Sequence, residues 1–90
     1  MNWLELLGII EGITWEGEGK KYDDDGNDCK VGVIKLQKIT KEPLKRLGRL
    51  LIILMDKKLI SKSILFTGAN KGYFATPLGH ATVSYLGDKK

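Results

Sequence analysis

Ninety residues contain one cysteine (Cys29), one histidine (His80) and two prolines (Pro43 and Pro77). A lone thiol forms no disulfide within the chain, which suits a reducing compartment better than an extracellular one. One His and one Cys do not supply the ligand set of a usual zinc site, so neither a metal nor a cofactor is expected. The longest wholly apolar run, Leu50–Met55, falls far short of the roughly 20 residues that span a bilayer. The opening "MNWLELLGII" carries Glu5 and no early lysine or arginine, which speaks against a signal peptide. The expectation is a soluble cytoplasmic protein. Catalytic signatures are equally scarce. "TGANKG" (67–72) lacks the spacing of a phosphate-cradling loop. His80 reads as a surface or turn residue, and Cys29, in a valine-rich stretch, as a buried inert thiol. No enzyme is expected.

What is present is a globular composition, 42% apolar and 29% charged, on a length that suits one domain over 1–90. A chain of this size buries about 60–65% of its unfolded surface, so its stability is modest unless a partner adds to it. The net charge of +4 conceals a polarity. Residues 1–28 hold eight acids against two lysines, and residues 29–90 hold thirteen lysines and arginines against three acids. Such asymmetry points to charged partners or to acidic and basic segments lying side by side.

The pattern predicts an α+β fold, roughly α-β-β-α-β-β-β, with a mainly antiparallel sheet packed on one dominant helix. Asn2 is placed to cap a short amphipathic helix with apolar residues at 3, 6, 7 and 10. Ile13 and Trp15 alternate with Glu16 and Glu18 as a strand, and "CKVGVIKLQKI" (29–39) is its β-branched return. Thr40 caps the main helix, with Pro43 in its first turn and Leu44, Leu47, Leu51 and Leu54 at helical spacing. "SILFT", "GYFAT" and "HATVSYL" read as strands, the last two joined by a turn at Pro77-Leu78-Gly79. Ser61 offers an alternative cap for a short helix over 62–67.

The loudest local signal is "KYDDDGNDCK" (21–30). A calcium loop needs ligands at positions 1, 3 and 5, glycine at 6 and glutamate at 12. With Gly26 at position 6, Lys21 and Gly32 take the first and last places. Starting at Asp23 puts Asp28 where glycine belongs. Both registers fail. Asp, Asn and Gly do suit a reversing chain, which explains Gly26 and Asn27 but not four aspartates.

Glu16, Glu18, Asp23, Asp24, Asp25 and Asp28 therefore form a candidate acidic hairpin for a protein with a basic surface. The expected function is a non-catalytic protein-binding or inhibitor module, of the compact kind that viruses and mobile elements encode. The alternative is a nucleic-acid-binding domain. Lys41, Lys45, Arg46 and Arg49 would contact phosphates along the main helix, and Tyr73, beside Lys71, would stack on bases with Phe74 and Tyr85. No helix-turn-helix, zinc-finger or other nucleic-acid signature accompanies them. A third reading is a homo-oligomer with Leu50–Met55 at the contact. No membrane association is expected.

Overall fold

The computed structural model describes residues 1–21, 31–62 and 72–87. Its element order is α1 (Trp3–Thr14), β1 (Trp15–Glu16), β2 (Gly19–Lys20), α2 (Val33–Thr40), α3 (Leu44–Asp56), β3 (Ile60–Lys62), β4 (Tyr73–Ala75) and α4 (Pro77–Gly87). The class is α+β, and both two-stranded sheets are antiparallel. The described chain is more helical than the sequence pattern predicts.

α1 begins with a capping box. The Asn2 side chain accepts from the Glu5 N–H at 2.8 Å, and the Glu5 carboxylate accepts from the Asn2 N–H at 3.3 Å. Two otherwise orphaned donors are thereby satisfied. Leu6, Leu7 and Ile10 recur at helical spacing and are fully buried. They meet α3, whose inner row is Leu47, Leu50, Leu51 and Leu54. Each such side chain contributes about 1.5–3 kcal/mol when removed from water, and α1 and α3 together supply seven of the buried apolar side chains of the core. Leu59 just before β3, Ile60 of β3 and Ala75 of β4, with Trp15, Val31 and Leu36, complete it. Val31 bridges Tyr73 beside β4, accepting from the Tyr73 N–H at 2.7 Å.

Several sequence expectations are corrected. The segment 29–39 is not a returning strand: its described part carries helix α2. Val33, Leu36, Gln37 and Thr40 lie on its covered side at i, i+3, i+4 and i+7, and burial of that stripe overrides the β-branched preference of Val33, Ile34 and Ile39. Thr40 does not cap the main helix. It ends α2, donating to the Leu36 carbonyl at 2.8 Å, and Lys41 follows in the left-handed conformation (φ 61°). Pro43 sits at the N-cap of α3 rather than inside it, with extended backbone (φ −61°, ψ 145°). "HATVSYL" belongs to α4, not to a strand. Pro77 opens that helix, where its missing N–H costs nothing, and Thr76 caps it by accepting from the Gly79 N–H at 3.1 Å.

The Pro77-Leu78-Gly79 triplet is thus a first helical turn. Gly79 is required there by space: a Cβ would fall well inside van der Waals contact of the Leu59 carbonyl oxygen. "GYFAT" does hold β4 as expected, whereas "SILFT" (63–67) lies outside the described residues, β3 ending just before it at Lys62. The expected strand or helix over 62–67 falls almost wholly outside the described residues.

Candidate functional site

Where α1 ends, three elements meet through side chains. Thr14, buried, donates to the Ile10 carbonyl at 2.8 Å and accepts from the Ala75 N–H at 3.1 Å. Trp15, next in sequence, donates its indole N–H to the Ala75 carbonyl at 2.8 Å. Side chains from the end of α1 thus satisfy both backbone groups of a fully buried β4 residue, as a neighbouring strand would.

The chain then reverses tightly. Trp15 pairs with Lys20 and Glu16 with Gly19, leaving Gly17-Glu18 as a two-residue turn. Gly17 has φ +58° while Glu18 stays at negative φ. Glycine at the first of two turn positions is the combination that favours hairpins, and it matches the strand twist. The Lys21 N–H closes the base on the Thr14 carbonyl at 2.8 Å. Glu16 and Glu18 are exposed on this hairpin.

His80 ties the hairpin to the body of the molecule. It lies in the first turn of α4 and is 8% exposed. Its ring stacks on Trp15 with centroids 4.1 Å apart and planes 3° from parallel. Nδ1 faces Glu11 Oε1 of α1 at 2.9 Å, and Nε2 faces Glu18 Oε2 of the hairpin at 3.2 Å. Two carboxylate acceptors require two N–H donors, which only the imidazolium supplies. The His80 pKa is accordingly raised above its ordinary 6.5, first by the hydrogen bond to Glu11, with burial opposing and the Glu18 bond and both carboxylate charges adding. Glu11 is largely covered, whereas the Glu18 side chain is 92% exposed. The inner bond therefore carries the energy, and the outer one orients a carboxylate that still faces solvent.

The expected surface or turn role for His80 is thus corrected. Thr76-Pro77 is the sequence signal that places His80 on a first helical turn. Its pairings with Glu11 and Glu18, 69 and 62 positions away, leave no local trace. Of the predicted acidic set, Glu16 and Glu18 share the hairpin. Asp23, Asp24, Asp25 and Asp28 lie outside the described residues, as does the expected turn there. Among the described residues the chain reverses at Gly17-Glu18.

The predicted basic stripe does not hold together. Lys41 terminates α2 and is not on α3. Arg46 donates to the Met1 carbonyl at 2.9 Å and pairs with Glu42, which also meets the N-terminal ammonium at 3.6 Å; it fastens the N-terminus. Lys45 and Arg49 remain exposed on α3. Tyr73 is a partly covered β4 residue whose phenol pKa is raised by burial, Phe74 packs against the core, Tyr85 is exposed on α4, and Lys71 is outside the described residues.

Among the described residues there is no cluster of three or more His, Cys, Asp or Glu suited to a metal, and no helix is long and apolar enough to cross a membrane. An open cavity between α1 and α4 is lined by Met1, Asn2, Leu4, Glu5, Gly8, Ile9, Val83 and Leu86, and does not include His80. No protein family, curated protein or solved structure matches this chain.

Proposed function

We propose that the protein is a non-catalytic protein-binding module that presents its acidic hairpin to a partner with a basic surface. The observation that carries this reading is the anchoring of the hairpin. Its exposed carboxylates, Glu16 and Glu18, stand on a tight hairpin rooted by Trp15 in β4 and by His80 in α4. A loop that serves only solubility needs no such root. A binding element gains from one, because ordering before contact lowers the entropic cost of association. Asp23, Asp24, Asp25 and Asp28 follow in sequence and extend the same negative charge. Such charge steers encounter with a cationic surface and disfavours nucleic acid.

The His80 dyad is read as structural on the same grounds. Both ring nitrogens are occupied by carboxylates, and a general base needs one free to reach a substrate. The nucleic-acid alternative is weakened by the placement of Lys41 and Arg46.

The test replaces Glu16, Asp23, Asp24, Asp25 and Asp28 together by the corresponding amides. The wild-type chain, immobilised and exposed to nuclease-treated lysate of its host, is expected to retain a basic protein that the neutralised variant loses. Equal retention by both, or recovery of nucleic acid alone from untreated lysate, would overturn the proposal.

A further inference from the structure

The outward face of α3 has a composition that the binding role of the hairpin leaves unexplained. Lys45, Arg49, Ile52 and Asp56 follow one another at i, i+4, i+7 and i+11, one row along a helix. All four are exposed, Ile52 to 56%, and Ile53 beside them to 37%. This row lies opposite the leucines that α3 buries. Neither Arg49 nor Asp56 has an ion-pair partner among the described residues. They cannot serve each other within one helix, because seven residues separate them by about 10 Å along the axis.

We propose that this face is covered by the same face of a second copy of the chain, with the two α3 helices antiparallel about a two-fold axis at Ile52 and Ile53. The order of residues argues for this occupant. In an antiparallel pair, positions with a constant sum face each other. The register that sets Arg49 against Asp56 of the second copy also sets Asp56 against the second Arg49, and Ile52 against the second Ile53. One operation therefore supplies two ion pairs flanking four isoleucine side chains, which is the self-complementarity that a two-fold interface demands. Gly48, beside the row, has nothing within 4 Å of where a Cβ would stand, so its side of the helix offers no bulk against close approach. Anionic lipid and nucleic acid fit less well: both would leave Asp56 facing like charge, and the isoleucines give bases nothing planar to stack on.

The register yields a charge-exchange test by sedimentation velocity across two decades of protein concentration. The wild-type chain is expected to shift from monomer to dimer. Arg49→Asp places two acids opposite each other, Asp56→Arg places two cations, and each variant alone is expected to stay monomeric. An equimolar mixture of the two variants restores both pairings and is expected to dimerise again. That rescue also separates loss of contact from loss of fold, since circular dichroism should match wild type in all three. A wild-type chain that stays monomeric, single variants that dimerise like wild type, or a mixture that fails to associate would each overturn the proposal. Binding of the monomer to phosphatidylserine vesicles or to a 20-nucleotide RNA, lost on Arg49→Asp, would assign the face to that anion instead.

Discussion

His80 shows how much a single side chain can join. Its ring touches α1 through Glu11, the hairpin through Trp15 and Glu18, and belongs to α4. Because its pKa is raised on folding, the folded state holds the proton more tightly than the unfolded chain does. The resulting stability is fully present below the ordinary imidazole value and is lost as pH rises through the raised one. Thermal unfolding followed from pH 5.5 to 9 should show Tm falling across that window, and His80→Gln should remove the fall. A wild-type Tm independent of pH there would contradict the doubly donating imidazolium. The two carboxylates should differ. Glu11→Gln should cost about 1–3 kcal/mol, since it weakens a covered charged hydrogen bond, while Glu18→Gln, at the surface, should cost no more than about 0.5 kcal/mol. Gly79 is the second residue with a singular role. Its α-hydrogen faces the Leu59 carbonyl with no room for a methyl group, so Gly79→Ala should destabilise by about 1–3 kcal/mol or more despite alanine's better helix propensity. Denaturant unfolding of the two proteins checks this.

At the level of elements, the end of α3 carries an unusual choice. The Leu59 N–H bonds the Leu54 carbonyl and the Lys58 N–H bonds the Met55 carbonyl, both at 3.0 Å. Lys58 takes φ 61° between them. This is a Schellman motif, with buried Leu59 meeting buried Leu54, and its left-handed position ordinarily belongs to glycine. Lys58→Gly should therefore stabilise the fold by about 1 kcal/mol in urea unfolding, by relieving the left-handed strain of a residue with a Cβ. Elements whose signals are local could be read: the Asn2 cap, the leucine row of α3, and the aromatic strand 73–75. α2 was hidden because "VGVIKLQKI" satisfies both a β-branched composition and a helical stripe, and only Leu36 and its covered neighbours decide between them. α4 was hidden because Thr-Pro-Leu-Gly suits a turn as well as a capped first turn. The Gly79 contact that selects the helix comes from Leu59, twenty positions earlier. The described hairpin lies upstream of the aspartates that draw attention, and the site's central residue could not be recognised, since its partners are far away in sequence.

Across the whole molecule, the charge polarity of the sequence acquires an address. The acids of the first third include Glu5 in a helix cap, Glu11 beneath His80, and Glu16 and Glu18 on the anchored turn. Glu5 and Glu11 serve the fold and Glu18 meets His80 while still facing solvent; in the proposed function Glu16, Glu18 and the aspartates after them in sequence meet the partner. The cations divide in the same way. Arg46 holds the N-terminus and Lys57 lies 5.0 Å from the centre of the Trp3 ring, whereas Lys45 and Arg49 stand on a face without partners among the described residues. Proposed function and proposed self-association therefore use different surfaces, and a two-fold pair would carry two hairpins. Linked binding elements of that kind raise avidity without any new contact.

In the proposed function the acidic hairpin, held in place by His80, is the surface that recognises a basic protein. The most direct measurement compares the affinity of the retained partner, once purified, for wild type, for His80→Gln and for the five-residue amide variant, by titration calorimetry at pH 6.5. The account predicts tight binding by wild type, several-fold weaker binding by His80→Gln because the hairpin must be ordered on contact, and no measurable binding by the amide variant. Equal affinities for all three would contradict it.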